Sequence, residues 1–302
     1  MGGANNIDEV EMFLRNMFAD KNILPMNRYL RSFIGNIIIN KRLDEVKENF
    51  SKYLGGKSPL SEITNELIKK LKTKLDIPIV SAMRYVPPFA TPALEQFKSD
   101  GIRELILFPM YPQYSTTTTL SSIEDIEDRC QELDYNPKIT IIEPYYDDYD
   151  YISLVANKII EALDKEDSQE YDLLLSAHGL PMSIIKAGDP YEKQIVSTIS
   201  ALKIYLHERN IKFNNIKLAY QSKVGNNAWL EPNLADVLRN PTHRKVIIYP
   251  LAFTIDNSET LYELDIEHRE IAQKLKYEDY RVAKCFNSDD AFVDLITKKI
   301  KI

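Results

Sequence analysis

Apolar positions along this 302-residue chain follow two periods in turn. Short apolar runs, typical of strands buried on both faces, stand between segments whose apolar residues recur at helical spacing. The predicted strands are Ile77–Met83, Glu104–Met110, Ile139–Glu143, Leu173–Ala177, Ile216–Tyr220 and Val246–Thr254. The predicted helices are Ile7–Phe18, Pro59–Leu75, Pro92–Asp100, Thr119–Leu133, Ile152–Leu163, Tyr191–Arg209, Glu231–Arg239, Ser258–Leu275 and Ala291–Lys299. Strands that alternate with helices predict an α/β protein with a mostly parallel sheet.

A break in this alternation at residues 144–150 divides the pattern into two similar halves. After Pro144 the sequence Tyr145-Tyr-Asp-Asp-Tyr-Asp interrupts it, and strand and helix then alternate again. We therefore predict two α/β domains, residues 1–148 and 149–302.

The chain begins with a turn and a helix. Gly2 and Gly3 are typical of a tight turn between a strand and a helix, and Asn6 with Glu9 predicts a capping box for Ile7–Phe18. No secretory leader is expected, because no basic and apolar segment precedes this helix. A turn of this kind normally follows a strand, so we expect either that the fold lacks its first strand or that relatives begin earlier.

Composition and charge exclude several classes of protein. The two cysteines, Cys130 and Cys285, exclude a disulfide framework and any four-cysteine zinc or iron–sulfur site within one chain. A formal net charge of −7 is unlike that of a general nucleic-acid binder. No apolar run reaches the roughly 18–20 residues of a membrane span. Residues 1–75 hold 13 Lys/Arg and 9 Asp/Glu (net +4), which leaves −11 for the rest; this indicates different ligand surfaces or ordinary variation.

The segment Ser176-Ala-His178-Gly-Leu-Pro, followed by Gly188-Asp-Pro-Tyr191, carries the strongest chemical signal. His178 follows a predicted buried strand, at the edge where open α/β sheets bind ligands. A histidine there can accept a proton or ligate a metal near neutral pH. The alternative is a strand-end histidine whose ring is satisfied by backbone groups.

A second signal lies in Phe253-Thr-Ile-Asp256-Asn257-Ser-Glu259 and the helix that follows it. Glu259, Glu263 and Glu267 are spaced four apart, which places them on one helical face. This row predicts either a solvated acidic surface or a carboxylate track for divalent cations or protons. Glu259 is closest to the preceding strand and is expected to face the ligand edge.

Polar and aromatic residues also follow strands in the first half. Tyr114 lies in Tyr111-Pro-Gln-Tyr-Ser, and Ser58 belongs to Gly55-Gly-Lys-Ser-Pro, whose amides suit an anion. Arg84 could grip a carboxylate while Tyr85 packs against a flat ligand.

These segments together resemble the ferrochelatase family over essentially the whole chain. The resemblance rests on the two segments around His178 and Tyr191, on Tyr111-Pro-Gln-Tyr-Ser, on Tyr220-Gln-Ser-Lys-Val-Gly, and on Leu251-Ala-Phe-Thr-Ile-Asp-Asn-Ser-Glu-Thr-Leu-Tyr-Glu-Leu-Asp. It implies two Rossmann-like halves with a porphyrin cleft between them, and an enzyme that inserts Fe²⁺ into protoporphyrin IX to give protohaem.

The resemblance also assigns roles to the candidate residues. It implies that His178 is a proton acceptor, a metal ligand or both, that Glu259 is the second essential residue, and that Asp256 supports it. Glu263 and Glu267 resemble an acidic track that shares the metal with His178 and Glu259. The positions that match the porphyrin pocket are Met1, Ser58, Arg84 and Tyr85, joined by Tyr114.

Several expectations follow for substrates, cofactors and location. Porphyrin and Fe²⁺ are the expected substrates, with no tightly bound cofactor, no iron–sulfur cluster and no nucleic-acid partner. A cytoplasmic monomer is expected, with peripheral membrane contact through Phe33–Ile39 as one reading and a helix packed into the cleft wall as the other. Asn257 stands where many relatives have histidine, which weakens a metal role there. The alternatives are a coproporphyrin or cobalt chelatase and a non-catalytic porphyrin- or haem-binding protein.

Overall fold

The computed structural model describes residues 1–225 and 227–301, which form two compact units. Unit 1 contains Met1–Pro109, Ser115–Glu143 and the segment from Ile296 onwards, and unit 2 contains Met110–Tyr114 and Pro144–Leu295. The division of the chain into domains 1–148 and 149–302 stays a prediction about folding units.

Unit 1 is mainly helical, with one short sheet. Its strands, β1 (Glu104–Leu107) and β2 (Lys138–Ile141), pair in parallel, with Leu105 opposite Ile139. A π-helical turn at Thr116–Leu120 leads into the last helix of this group. The helices are α1 (Asp8–Ala19), α2 (Arg28–Tyr53), α3 (Leu60–Lys72), α4 (Ala90–Ser99) and α5 (Ser121–Glu132).

Unit 2 is built on a four-stranded parallel sheet in the order β4-β3-β5-β6. Its strands are β3 (Asp172–His178), β4 (Asn215–Gln221), β5 (Lys245–Pro250) and β6 (Asp279–Val282). Its helices are α6 (Tyr149–Leu163), α7 (Met182–Lys186), α8 (Tyr191–Glu208), α9 (Leu234–Arg239), the π-helix Glu259–Glu267, α10 (His268–Lys274) and α11 (Asp290–Ile300), the last continuing into unit 1. A 3₁₀ turn spans Ser168–Glu170.

The central strand β3 could be predicted from the sequence because it is buried along almost its whole length. The first six of its seven residues are buried, and only His178 at its end is partly exposed. Strands β4 and β5 flank it on both sides, with Leu175 opposite Leu218 and Tyr249. A strand with neighbours on both edges and helices on both faces needs a continuous apolar run.

The prediction of a strand at Ile77–Met83 is wrong. The segment takes no place in either described sheet, and Ile77 and Val80 expose 44% and 48% of their surface. A strand needs a neighbour that takes up its backbone hydrogen bonds, and apolar content alone does not supply one. Strand β6 (Asp279–Val282) was not predicted from the sequence, because this segment is short and polar.

Strand and helix ends also differ from the expectations. Strand β1 ends at Leu107 rather than Met110, and β5 ends at Pro250 rather than Thr254. A proline lies at or near each end, and proline has no N–H to donate to a ladder. The apolar pattern runs past these points and gives no sign of the stop.

Helix α2 is the largest element that the sequence did not predict. It runs for 26 residues and is capped by Asn27, whose side chain accepts from the Leu30 N–H. It buries only Gly35, Ile39 and Phe50, so its apolar stripe is weak. Within the described residues, no helix combines the length and the apolar character needed to cross a bilayer.

Candidate active site

His178 is held at the carboxyl end of β3 by the segments that flank it. The Tyr191 hydroxyl donates to the His178 carbonyl at 3.0 Å, and the Gly179 N–H donates to the Gln221 carbonyl at 2.9 Å. A Cβ on Gly179 would lie 2.9 Å from that same carbonyl, so only glycine allows this approach. The two conspicuous sequence segments therefore converge on one histidine.

The hydrogen bond of the His178 ring fixes which nitrogen carries the proton. Its Nδ1 lies 2.6 Å from the Gly179 carbonyl oxygen. Because a carbonyl only accepts, Nδ1 must be the donor, and Nε2 of the neutral ring keeps a lone pair. The backbone thus orients the ring without occupying the reactive nitrogen. The ring is bonded to a backbone carbonyl, as one interpretation of the sequence expected, and its role as a proton acceptor or metal ligand stays a prediction.

Glu259 lies beside that nitrogen. The distance from His178 Nε2 to Glu259 Oε2 is 3.7 Å, and the two side chains are 35% and 37% exposed. A separation of 3.7 Å is longer than a good hydrogen bond. Glu259 begins the π-helix, a winding that is rare and often found at functional sites.

Asp256 is buried and accepts hydrogen bonds from the residues around it. Its Oδ2 accepts from Asn287 Nδ2 at 2.7 Å, and its Oδ1 accepts from the Thr260 hydroxyl at 3.1 Å. The Cys285 N–H points at Oδ1 at 3.3 Å. Burial first, and then the Asp256 carboxylate, raise the pKa of the Cys285 thiol well above its ordinary value. The thiol is therefore protonated at neutral pH.

Glu263 points to the end of β4. Its Oε1 accepts from the Ser222 N–H at 2.6 Å, and its Oε2 accepts from the Ser222 hydroxyl and from Gln221 Nε2 at 3.3 Å. Glu267 is exposed on the same π-helix. The expected row of three carboxylates on one α-helical face is thus altered by the π winding.

No three His, Cys, Asp or Glu side chains within residues 1–225 and 227–301 are grouped closely enough to hold a metal ion. The structure brings together His178 and Glu259 from the predicted metal set. The metal roles of Glu263 and Glu267 stay predictions.

Buried tyrosines surround this end of the sheet. Burial, followed by Tyr220 and Glu259, raises the pKa of Tyr191 well above its ordinary value. Its hydroxyl therefore stays protonated and remains a donor to the His178 carbonyl at all working pH values. The position of His178 does not depend on the ionisation of this tyrosine.

The candidates of unit 1 gather around its first four residues. The Tyr85 N–H donates to the Met1 carbonyl at 3.0 Å, and the Ser58 N–H donates to the Ala4 carbonyl at 2.8 Å. A Cβ on Gly3 would lie 2.5 Å from Ser58 Oγ. Gly2 has a φ of +97°, a conformation that favours glycine.

Arg84 and Tyr85 differ in exposure. The Arg84 side chain is 29% exposed and pairs with Asp125 at 3.1 Å, with Asp20 at 3.7 Å. Tyr85 is fully buried, and its hydroxyl donates to Asp20 at 2.8 Å. The Arg84 guanidinium lies 5.6 Å from the centre of the Tyr85 ring. The ring therefore supports Arg84 from behind, and it presents no open face to a ligand in this structure.

Tyr114 belongs to unit 2, where its N–H donates to Gln194 Oε1 at 2.6 Å. The capping box predicted at the chain start is formed in part: Asn6 Oδ1 accepts from the Glu9 N–H at 3.0 Å, but the Glu9 carboxylate accepts from the Asn5 N–H at 2.9 Å and not from that of Asn6. Sequence reasoning missed Asn287 and Ser222. A lone asparagine after a short strand and a serine after a glutamine gave no signal, because their partners are 31 and 41 residues away along the chain.

The fold is similar to solved structures of chelatases. SirB from Bacillus subtilis, solved with Fe³⁺, matches with a TM-score of 0.58 and 13% identity over 80% of this chain and 88% of that one. CbiX, described as the terminal enzyme of sirohaem biosynthesis in denitrifying bacteria, matches with a TM-score of 0.52 and 14% identity over 80% and 89%. At these identities the similarity establishes a chelatase-type α/β fold. The predicted fold class is confirmed.

Sequence comparisons identify the family within that fold. A ferrochelatase family model matches residues 1–302. The ferrochelatases of Nitratiruptor sp. and Wolinella succinogenes are 46% and 47% identical, each over at least 98% of this chain and 95% of the relative. That of Helicobacter pylori strain P12 is 42% identical over 100% and 91%. The chain belongs to the ferrochelatase family, and the predicted enzyme class, a metal-chelating lyase of haem synthesis, is confirmed.

Proposed function

We propose that this chain inserts Fe²⁺ into protoporphyrin IX to give protohaem, with His178 accepting the pyrrole protons. The observation that supports this most directly is the Nε2 of His178, which points away from the Nδ1–Gly179 bond and lies 3.7 Å from the Glu259 carboxylate. Family membership supplies the reaction class, and this geometry supplies the groups that the reaction requires.

The reaction needs a base, because two pyrrole N–H protons leave as the divalent metal enters. The iron stays ferrous and the charges balance. His178 Nε2 is placed to accept one pyrrole proton at a time and to pass it to solvent through its partly exposed ring, and the nearby Glu259 carboxylate would stabilise the imidazolium that forms in each transfer. A positioned base of this kind contributes about 10²–10⁴-fold to a rate.

The same pair suits delivery of the metal. One imidazole nitrogen and one carboxylate oxygen are ligands that first-row divalent ions accept. Two protein groups are few for a resident metal, but they suit a metal in transit, because the porphyrin nitrogens supply the remaining ligands. Asp256 then acts as a supporting residue, since it bonds to the neighbours of Glu259 within unit 2.

Roles in porphyrin binding are proposed separately for Met1, Ser58, Arg84 and Tyr114, and Tyr85 is proposed to act only through Arg84, which its buried ring supports. All of these except Tyr114 lie together around the start of unit 1. The Arg84 side chain is 29% exposed, which leaves room for its guanidinium to pair with an anionic propionate. Its charge is shared with Asp125 and Asp20, so we expect a moderate contribution.

Peripheral membrane contact is proposed for the exposed apolar side of α2. Tyr29 is 88% exposed and Phe33 is 65% exposed, with Leu30 and Ile37 beside them in sequence. Flotation with liposomes tests this contact, and protein that stays at the bottom of the gradient would contradict it. A cytoplasmic location and a monomeric state stay predictions.

The decisive experiment measures loss of free-porphyrin fluorescence with purified protein, protoporphyrin IX and Fe²⁺ under reducing conditions. Wild type is expected to metallate, and His178→Ala is expected to lower kcat about 10²–10⁴-fold. His207→Ala, on the exposed side of α8, is the matched control and should leave kcat unchanged. Tight porphyrin binding by wild type without metallation would contradict the proposal and leave a porphyrin-binding protein.

A further inference from the structure

We infer that Asn257 is a positioning residue, whose side chain fixes the first turn of the π-helix so that Glu259 faces His178. The inference rests on the proposed function, because the direction of Glu259 matters only if the His178–Glu259 pair performs the chemistry. Asn257 itself touches no reacting atom.

The carboxamide of Asn257 is bonded at both ends to its own backbone. Its Oδ1 accepts from the Glu259 N–H at 2.8 Å, and its Nδ2 donates to the Ile255 carbonyl at 3.1 Å. The side chain is buried, with the residue 8% exposed. Both polar atoms of the side chain are therefore bonded within the turn.

Thr260 completes the arrangement from the other side. The Asn257 N–H donates to Thr260 Oγ1 at 2.9 Å, while the Asn257 carbonyl accepts from the Leu261 N–H at 3.0 Å. The first N–H groups of a helix have no partner within the helix, and a reciprocal pair of this type satisfies them. Asparagine, aspartate and serine are the preferred residues for this purpose.

The cap is anchored to a second layer of buried groups. The Thr260 hydroxyl, which accepts from the Asn257 N–H, donates in turn to Asp256 Oδ1 at 3.1 Å. Asp256 is fixed by Asn287 through the bonds at 2.7 and 2.8 Å. A continuous series of hydrogen bonds thus runs from the loop after β6 to the backbone N–H of Glu259.

This arrangement has a direct consequence for the site. The Glu259 side chain leaves the backbone at the residue whose N–H is capped, and its carboxylate ends 3.7 Å from His178 Nε2. Loss of the cap would let the first turn move while β3 continues to hold His178. A misplacement of about 1 Å is enough to cost up to about 10²-fold in rate.

The chain contains a matched control. Asn233 caps α9 with the same geometry, its Oδ1 accepting from the N–H two residues later, on Ala235, at 3.0 Å. It carries no candidate catalytic residue on its helix. Alanine at Asn233 and at Asn257 should therefore cost comparable stability, and only the second should change the chemistry.

The test compares Asn257→Ala, Asn233→Ala and the rescue variants Asn257→Asp and Asn257→Ser in the metallation assay. Asn257→Ala is expected to lower kcat about 10- to 100-fold with little change in KM for the porphyrin. Asn233→Ala should match wild type in kcat. At least one rescue variant, which keeps an acceptor oxygen, should return kcat to within about threefold of wild type. Equal kcat in the two alanine variants, or rescue by neither, would overturn the inference.

Hydrogen exchange of the peptide that contains residues 257–263 provides a readout independent of activity. Asn257→Ala should speed exchange there, and Asn233→Ala should not. If wild type fails to metallate, the proposed function fails, while the exchange result still decides whether Asn257 caps this turn. Unchanged exchange in Asn257→Ala would overturn the cap.

Discussion

The two units place their candidate residues by different physical means. In unit 2, His178 stands at the end of a strand with six buried residues and a neighbour on each edge. In unit 1, the two-stranded sheet is thin, and only Leu105 of β1 is buried. Its candidates are placed instead by close backbone contacts around residues 1–4. Groups that transfer protons or metal need a fixed position, and the buried sheet provides one.

The comparison gives a physical reason for the placement of the proposed reacting pair, His178 and Glu259, in unit 2. A strand that is buried on both faces resists local opening, whereas an exposed edge opens at low cost. Groups that only contact a large planar ligand tolerate such movement. The three predictions below test this contrast between the units.

The largest effect is expected in the cores of the two sheets. Leu175→Ala removes a fully buried side chain from β3 and should lower the free energy of unfolding by about 2–5 kcal/mol. Ile106→Ala in β1, where the side chain is 44% exposed, should cost less than about 1 kcal/mol. Urea unfolding of both variants measures the difference. Equal costs would remove the contrast between a rigid and a thin sheet.

The sequence predicted the rigid sheet because its pattern is local. The strands of Leu173–Ala177 and Ile216–Tyr220 were found within a residue or so of β3 and β4. His178 was found because a histidine at the end of such a run is unusual. Glu259 was found because it begins the helix after the next strand of the sheet.

The remaining features depend on partners that are distant in sequence. Residues Ile77–Met83 have the composition of a strand but no neighbour in the described sheets. The 26 residues of α2 have too weak an apolar stripe to reveal a helix. The π winding after Ser258 and the bonds from Asn287 to Asp256 produce no periodic pattern in the sequence. A sequence pattern reports local periodicity, whereas these features are determined by tertiary contacts.

An intermediate effect is expected at the start of unit 1. In Gly3→Ala the new Cβ would meet Ser58 Oγ at 2.5 Å and Ser58 Cβ at 2.7 Å, and both are held by the buried backbone there. Overpacking of this kind costs about 1–3 kcal/mol. A thermal or urea unfolding curve measures it. Ser58→Gly in the Gly3→Ala background should recover most of the loss, since it removes both clashing atoms. Failure to recover would show that Ser58 is not the contact that positions this turn.

The smallest effect is expected at Ser222, where the informative result is which of two substitutions, alanine or glycine, destabilises the protein more. Ser222 has φ of +65°, a left-handed conformation, and its N–H and hydroxyl both bond to the Glu263 carboxylate. Ser222→Ala keeps the backbone strain and loses the hydroxyl, which should cost about 1.5 kcal/mol because the acceptor is charged. Ser222→Gly loses the same hydroxyl but relieves the strain, so it should cost about 1 kcal/mol less than alanine.

Ser200 in α8 is the matched control, because there the order of the two substitutions reverses. Its hydroxyl donates to the Val196 carbonyl on an exposed helical surface, where glycine is worse than alanine by about 1 kcal/mol. Urea unfolding of the four variants should therefore give opposite orders at the two serines. If glycine is also worse at Ser222, the left-handed conformation does not strain this turn. The loss that both Ser222 variants share measures the bond from the hydroxyl to the Glu263 carboxylate. A shared loss near zero would leave Glu263 available for the metal role that the sequence predicted, whereas the expected loss makes Glu263 first an anchor for the strand beside His178.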